Sequence, residues 1–161
     1  MIEVLISLGG NVGDVRATLA RAIDMLCADG TVVLRARSSD YRTAPWGITD
    51  QPAFINLCIL VETTLTPYAL LARGHVIERE LGRQRLQEIT WGPRPVDIDL
   101  LDYGGQTIVE PGLRLPHPRL LERAFVLVPL AEIAGDRIID GVRIGEAVRG
   151  IDTTGVERLP A

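Results

Sequence analysis

Hydrophobic residues recur along the chain with two different periods, which separate predicted strands from predicted helices. Short runs rich in Val, Ile and Leu, bounded by Gly, Pro or polar residues, are typical of β-strands. Such runs cover residues 2–8, 31–38, 54–64 and 97–103. In the last run apolar and polar side chains alternate, which predicts one buried face and one open face.

Helical spacing follows the first and the third of these strands. Apolar residues recur every three or four positions over 15–26, after Asp14, whose side chain is suited to capping a helix N-terminus. The pair Thr66-Pro67 is typical of the start of a second helix, which we expect to reach about residue 81.

The order strand, helix, strand, strand, helix, strand predicts an α+β fold with a ferredoxin-like βαββαβ core. Its antiparallel sheet would carry helices on one face. Gly104-Gly105 predicts a hairpin turn into a further strand at 107–110, and helical stretches after Pro118 and over 124–134 add C-terminal elements. The chain contains no repeat, low-complexity tract or linker, so we expect a single domain over residues 1–161.

Composition narrows the classes of partner. A net charge of −4 argues against general nucleic-acid binding, which favours a basic surface. Both cysteines lie in apolar runs and fit reduced core thiols, which indicates a cytoplasmic setting. The N-terminus lacks the features of a signal peptide, and no apolar run is long enough to span a membrane. The sequence therefore predicts a cytoplasmic protein with neither nucleic-acid nor membrane partners.

Asp97 and Asp99 fall on the same side of the fourth predicted strand, about 7 Å apart at the backbone. One interpretation is a solvent-facing strand with alternating charge. The other is a site for a hard cation such as Mg²⁺, which takes one or two carboxylates and completes its shell with water and phosphate oxygens. The preceding Trp91-Gly-Pro-Arg94 favours the second, because it brings a stacking surface and a guanidinium to the same place.

Basic residues cluster around this strand: Arg83, Arg85, Arg94, Arg114, His117, Arg119 and Arg123. Guanidinium groups bind phosphate oxygens bidentately, although each arginine taken alone could equally be a solvated surface charge paired with a glutamate. The sequence has no glycine-rich phosphate-binding loop. Any bound ATP would therefore depend on arginine, histidine and metal.

Aromatic residues make up only 4% of the chain, yet Trp46, Phe54 and Phe125 fall in or near the candidate site segments. Flat rings beside Asn56 suit a planar heterocycle, whose hydrogen-bonding edge the amide would read. A structural hydrogen bond would satisfy a buried Asn56 equally well, so that alternative stays open.

Taken in order, seven segments between about residue 4 and residue 134 resemble the 6-hydroxymethyl-7,8-dihydropterin pyrophosphokinase family of the folate pathway. They are SLGGN, YRTAPWG, DQPAFIN, ERELGR, WGPRPVDIDLL, LPHPR and RAFVLVPLAEIA. The run GPRxxDxDLL is highly specific, and the ordered set makes a chance resemblance improbable.

The resemblance implies a ferredoxin-like fold and transfer of pyrophosphate from ATP to the pterin hydroxymethyl group, with release of AMP. We expect the protein to be a monomer. The resemblance also implies that two Mg²⁺ ions bind Asp97 and Asp99, and that these carboxylates act in catalysis together with Arg83 and Arg94. The residues that would serve ATP are Glu78, Arg85, Trp91, Leu100, Arg114, His117 and Arg123. Those that would line the pterin slot are Thr43, Pro45, Trp46, Phe54, Asn56 and Phe125, with Phe54 and Phe125 on either side of the ring.

Thr90, His75, Arg114 and Trp46 differ from the residues common in the family at those positions. These departures concern nucleotide contacts, pterin contacts and loop closure, and they leave the reaction class unchanged. Two alternative functions stay open from the residues alone. One is an Mg²⁺–ATP phosphotransferase that acts on another small alcohol, and the other is a non-catalytic nucleotide-sensing module.

Overall fold

The main sheet consists of the four predicted strands and two short strands that the sequence pattern did not indicate. The structure, a computed structural model, describes residues 1–45, 47–84 and 88–161. Its elements are β1 (Ile2–Gly10), α1 (Val15–Leu26), β2 (Val32–Arg37), β3 (Tyr41–Thr43), β4 (Phe54–Thr63), α2 (Pro67–Glu80), β5 (Asp97–Tyr103), β6 (Ile108–Glu110), β7 (Leu113–Leu115), a short 3-10 helix (Leu120–Glu122), α3 (Ala124–Ala134), β8 (Ile138–Ile139), β9 (Val142–Arg143), α4 (Ile144–Arg149) and β10 (Val156–Arg158).

Strand pairing confirms the predicted α+β core. The main sheet has the order β10-β3-β4-β1-β5, β2 also pairs with β4, and every pairing is antiparallel. With α1 and α2 between strands, this is the βαββαβ arrangement of a ferredoxin-like fold. The added strands, β3 and β10, extend the sheet on the β4 side.

Both predicted helices of the core begin at the residues that the capping signals indicate. The Asp14 carboxylate accepts a hydrogen bond from the Ala17 amide, and the Thr66 hydroxyl accepts one from the Ala69 amide. The longer of the two, α2, has 14 residues. Within the described ranges no helix is long and apolar enough to cross a bilayer.

Helices cover both faces of the sheet, whereas the sequence predicted helices on one face. The first hydrophobic cluster lies between the sheet and the pair α1 and α2, and includes Leu8, Leu57 and Ile98. The second lies between the opposite face and the C-terminal helices α3 and α4, and includes Leu5 and Leu127. Since the apolar side of the C-terminal segment packs on this second face, it belongs to the same folded body as the core.

The predicted hairpin after Gly104-Gly105 is wrong. Strand β6 pairs with β7 in a separate two-stranded sheet, and not with β5. The Asp102 carboxylate accepts from the Gly105 amide, and the Gln106 amide donates to the Tyr103 carbonyl, so a local turn directs the chain away from β5. The free edge of β5 is contacted instead by His117, whose backbone amide donates to the Leu101 carbonyl at 2.8 Å.

Candidate active site

A cavity of about 270 Å³ lies on the α3 side of the sheet, where β1 ends and β4 and β5 begin. Neutral and charged groups both face it. Among the described residues, its lining consists of Ser7, Gly9, Thr43, Ala44, Phe54, Asn56, Thr90, Trp91, Arg94, Asp97, Asp99, Arg123 and Phe125.

The register between β1, β4 and β5 brings the neutral and the charged lining residues together. Gly9 of β1 lies opposite Asn56 of β4 on one side and opposite Asp97 of β5 on the other. A Cβ atom at Gly9 would lie 2.1 Å from the Asn56 Oδ1 atom, so only glycine leaves room for that amide. The missing side chain in the middle strand therefore lets Asn56 lie towards the two carboxylates.

The neutral part of the cavity, formed by Thr43, Phe54, Asn56 and Phe125, is the heterocycle slot. The Asn56 Nδ2 atom donates to the Thr43 hydroxyl at 2.8 Å, and both side chains are largely buried. This bond fixes the plane of the amide, and two aromatic side chains, Phe54 and Phe125, line the same cavity. The slot suits a flat molecule with a polar edge.

The charged part is centred on Asp97, which two arginines contact. The Asp97 Oδ1 atom accepts from the Arg83 guanidinium at 2.7 Å, and its Oδ2 atom lies 3.6 Å from Arg94. Arg83 is almost fully buried and also binds the Glu88 carboxylate through two bonds of 2.7 and 3.0 Å. Burial acts to lower the pKa of Arg83, but the bonds to Glu88 and Asp97 outweigh it and raise the pKa.

Glu78 of α2 lies behind the two aspartates and supports their strand. One of its carboxylate oxygens, Oε2, accepts from the Arg83 guanidinium and from the Ile98 backbone amide, both at 2.8 Å. Ile98 is the residue between the two aspartates, and Glu78 is 1% exposed. These contacts make Glu78 suited to holding Asp97 and Asp99 in position.

Asp99 is the carboxylate most strongly affected by its surroundings. Burial raises the pKa of Asp99 to about 7, and the negative charge of Asp97 adds to that rise. Ionisation of both Asp97 and Asp99 is energetically costly in this buried setting, and a cation beside them would offset that cost. Two carboxylates without histidine or cysteine fit Mg²⁺, and among the described residues no cluster of three or more metal-ligating side chains occurs.

Arg123 lines the cavity, and His117 lies along the free edge of β5. Burial lowers the pKa of both; the positive charges of Arg123 and Arg119 lower the pKa of His117 further, whereas the negative charge of Asp97 acts to raise it. The Arg123 Nε atom is buried and has no hydrogen-bond partner within the described part of the chain. An unpaired guanidinium N–H beside a cavity fits an anionic ligand such as phosphate.

Comparisons with known proteins identify the family. Residues 5–135 match the model of the family described as 7,8-dihydro-6-hydroxymethylpterin-pyrophosphokinase. A Methylorubrum extorquens protein named 2-amino-4-hydroxy-6-hydroxymethyldihydropteridine pyrophosphokinase is 48% identical over 159 residues, which cover 99% of each chain. The Bacillus subtilis protein of the same name is 39% identical over 156 residues, 91% of this chain and 92% of the relative. This chain belongs to that family.

Solved structures agree on the fold of the family. A Plasmodium falciparum structure titled HPPK-DHPS wild type with pteroate matches with a TM-score of 0.76 at 13% identity. The match covers 98% of this chain and 47% of that one, so this chain spans less than half of the two-part protein. The likeness concerns the fold, because so low an identity carries no site residues across.

The structure places most of the predicted site residues in or beside one cavity. The residues that line it are Thr43, Phe54, Asn56, Trp91, Arg94, Asp97, Asp99, Arg123 and Phe125. Arg83 and Glu78 lie directly behind them, through the ion pairs with Asp97 and with one another. Trp46 and Arg85 lie outside the described residues. The roles assigned to all these residues stay predictions.

Besides Arg83 and Glu78, four of the predicted site residues that the structure describes do not line the cavity: Leu100, Pro45, Arg114 and His117, the last of which lies along the free edge of β5. The Leu100 side chain is buried with the α1 and α2 cluster on the opposite face of the sheet, so it is not available to a ligand in the cavity. Pro45 lines a separate shallow depression with Val156, and Arg114 is exposed on β7. For Leu100 the reason is the strand period, because neighbours of Asp99 point to the other face.

Sequence reasoning missed Ser7, Gly9 and Ala44 as lining residues. Ser7 and Gly9 face the cavity because β1 pairs with β5 in a register that sets Ser7 opposite Asp99. The segment SLGGN carried this signal only through its family resemblance, since no single-sequence pattern fixes the register between distant strands.

Proposed function

We propose that the chain catalyses transfer of the pyrophosphoryl group of ATP to the hydroxymethyl group of 6-hydroxymethyl-7,8-dihydropterin, with release of AMP, in folate biosynthesis. The observation that carries this proposal is the presence of a neutral heterocycle slot and a charged carboxylate pair in one cavity. Membership of the pyrophosphokinase family supports the same reaction. A pterin and a triphosphate require these two kinds of surface.

The slot residues hold and orient the acceptor. Phe54 and Phe125 would pack on the two faces of the pterin, while Asn56, fixed by Thr43, would hydrogen-bond the ring edge. Binding the ring on the β4 side directs its hydroxymethyl group towards Asp97 and Asp99 on the β5 side. Such orientation supplies a large part of the rate in transfers of this kind.

Electrostatic stabilisation of the phosphoryl groups would supply the rest of the rate enhancement. The pterin hydroxyl oxygen forms a bond to the β-phosphorus, the bond from that phosphorus to the α–β bridging oxygen breaks, and AMP departs with that oxygen. Arg83, Arg94 and Arg123 would stabilise the negative charge on the transferred group and on AMP. The hydroxyl proton must leave, and Asp97 and Asp99 are the carboxylates among the described lining residues.

Two Mg²⁺ ions are proposed at Asp97 and Asp99, where they would neutralise phosphate charge and lower the pKa of the attacking hydroxyl. The raised pKa of Asp99 supports a cation there, because the ionised pair needs positive charge. We further propose a monomeric, cytoplasmic, single-domain enzyme that acts on small molecules.

Product analysis tests the proposal directly. The protein is incubated with ATP, Mg²⁺ and reduced hydroxymethylpterin, and the products are identified by ³¹P NMR and chromatography. We expect AMP and the pterin pyrophosphate ester in equal amounts. ADP with a pterin monophosphate would indicate the alternative phosphotransferase, and unchanged ATP would indicate a nucleotide sensor.

A further inference from the structure

Ser7 of β1 is a polar residue of the cavity that the proposed reaction does not use. It lines the cavity, yet within residues 1–45, 47–84 and 88–161 its hydroxyl group forms no hydrogen bond. Its neighbours on the same face of β1 are Leu5, which is buried in the second hydrophobic cluster, and Gly9. Ser7 therefore presents a hydroxyl group to the cavity between two positions that carry no polar side chain.

A shift in strand register sets Ser7 opposite Asp99. The pairing of β1 with β5 shifts by one residue between Leu5 and Ile6, which is the signature of a β-bulge. The register before the shift would set Ser7 opposite Leu100, whose side chain packs on the other face of the sheet. Because directly opposite residues of an antiparallel pair point to the same face, the shifted register puts the Ser7 hydroxyl and the Asp99 carboxylate together on the cavity side.

The distance between opposite strands lets these two groups bind one another. Directly opposite residues of an antiparallel pair have Cβ atoms about 4.5–5.5 Å apart, so rotation of the two side chains can bring a serine Oγ atom to a carboxylate oxygen. On the other side of Ser7, β4 supplies Cys58, whose thiol already donates to the Val126 carbonyl at 3.6 Å. Asp99 is therefore the neighbour across the sheet that can accept from Ser7.

The two aspartates differ in how the orientation of the carboxylate is fixed. Asp97 accepts a hydrogen bond from Arg83 and also lies 3.6 Å from Arg94. The Asp99 carboxylate accepts no hydrogen bond from any other residue that the structure describes. Asp99 thus lacks a group that holds its plane, and Ser7 lies where a small donor could do so.

We propose that Ser7 is a positioning residue, whose hydroxyl group donates to the ionised Asp99 carboxylate and sets that group for binding a divalent cation. A carboxylate has two oxygens, so one can accept from Ser7 while the other faces the cavity. The bond is charge-assisted and therefore stronger than one between neutral groups. This inference deepens the proposed function and rests on it, because it takes Asp99 to bind Mg²⁺.

Three substitutions of Ser7 separate the hydroxyl group from the volume of the side chain. Ser7→Ala removes the hydroxyl. Ser7→Thr keeps it and adds a methyl group, whereas Ser7→Val has the shape of threonine without the hydroxyl. Threonine and valine are both well suited to a β-strand, so the comparison between these two variants is the matched control. The Tm of each variant in EDTA measures any effect on folding alone.

Cation affinity is measured with Mn²⁺ and without nucleotide, through loss of the EPR signal of the free ion on binding. We expect the Mn²⁺ Kd of Ser7→Thr to stay close to that of the wild type. For Ser7→Ala and Ser7→Val we expect a Kd about tenfold higher, since loss of a hydrogen bond to a metal-binding carboxylate has effects of this order. The Tm in EDTA and the pterin Kd without metal should change little in all three variants.

Steady-state kinetics provide a second readout that a merely structural role would not change. In Ser7→Ala and Ser7→Val the Mg²⁺ concentration that gives half-maximal rate should rise, with the KM for the pterin unchanged and with rescue by Ser7→Thr. Equal Mn²⁺ affinity in folded Ser7→Thr and Ser7→Val would overturn the inference, as would weaker pterin binding without metal as the only change, while AMP production by the wild type remained. Failure of the wild type to form AMP would instead overturn the proposed function.

Discussion

The heterocycle slot and the charged part share one cavity but are built in different ways. The slot depends on neutral groups at the ends of regular elements, such as Phe54 at the start of β4, and on one buried amide–hydroxyl bond between Asn56 and Thr43. The charged part depends on ion pairs around Arg83, two of whose carboxylate partners lie on α2 and β5 and one on the connecting segment.

The difference follows from what each part would bind. A neutral planar ring is recognised by shape and by a few fixed hydrogen bonds, so its site gains from being preformed on the sheet. A metal–triphosphate brings many charges, and those that reach Asp97 compete with its existing ion pairs. Asp97 is shared between Arg83 and Arg94, so any further cation at Asp97 rearranges these pairs.

The largest expected effect comes from Asp99→Asn. Loss of this carboxylate should lower kcat about 1000-fold or more, because removal of a charge-stabilising group in a water-poor site has effects of this order. The variant should stay folded, and Asp24→Asn on the exposed face of α1 is the matched control. Substantial turnover by Asp99→Asn would remove Asp99 from the reaction.

A second prediction concerns the thermal stability of Asp99→Asn and its dependence on pH. The pKa of Asp99 is raised to about 7 in the fold, so its contribution to stability is present at low pH and is lost as the pH rises through 7. In EDTA at pH 8, Asp99→Asn should therefore melt at a higher temperature than the wild type, and the difference should shrink at pH 5. A wild type that is more stable than the variant at pH 8 would contradict this.

Arg83→Ala should have the largest effect on stability. It leaves Glu78 buried without its guanidinium partner, which typically costs about 3–5 kcal/mol in the free energy of unfolding. The double variant Arg83→Ala/Glu78→Gln should recover part of that loss in urea unfolding. We also expect Arg83→Ala and Arg94→Ala to lower kcat more than pterin affinity, and unchanged kinetics would exclude these arginines from a role in the reaction.

Asn56→Ala should act on the slot alone. Loss of a hydrogen bond to the ring edge should weaken pterin binding about 10- to 100-fold, equivalent to about 1.4–2.7 kcal/mol, with ATP-analogue binding nearly unchanged. Calorimetry with each ligand separately measures both constants. A larger loss for the nucleotide than for the pterin would show that the slot is assigned wrongly.

The smallest expected effect is a loss of stability on substitution of Glu132, which hydrogen-bonds to Tyr41 and Ser39. Glu132 of α3 accepts from the Tyr41 hydroxyl at 2.6 Å and from the Ser39 amide at 2.9 Å. Burial alone would raise its pKa, but these bonds outweigh it and hold the pKa below its usual value. The stabilisation is present above about pH 4.5 and lost as the pH falls further.

Glu132→Gln should lower Tm by about 2 °C at pH 7 and by less at pH 3, while Glu146→Gln on α4 should change it at neither pH. Equal destabilisation by Glu132→Gln at both values would mean that the charge of Glu132 is not involved.

The sequence predicted the elements whose signals are local and missed those that depend on pairing. Asp14 and Thr66 mark helix starts through their own side chains, and both predictions are confirmed. Strand β10 has only three residues, and its pairing with β3 depends on a long-range register that no local pattern encodes. The wrong hairpin at Gly104-Gly105 shows the same limit, because the turn was identified but its partner strand was not.

The candidate site shows this limit residue by residue. Asp97 and Asp99 are two residues apart in β5, so their proximity follows from the alternation of a strand, and Arg94 precedes them in the same short segment. Gly9 and Ser7 come from a strand that is distant in sequence, and Leu100 shows that membership of a motif does not fix the face on which a side chain lies.

A crystal structure with a non-hydrolysable ATP analogue, Mg²⁺ and the reduced pterin would test the central claim most directly. We expect metal density between the Asp97 and Asp99 carboxylates and the phosphate oxygens, and the pterin ring between Phe54 and Phe125. Phosphates bound away from β5, with both aspartates facing only water, would contradict it.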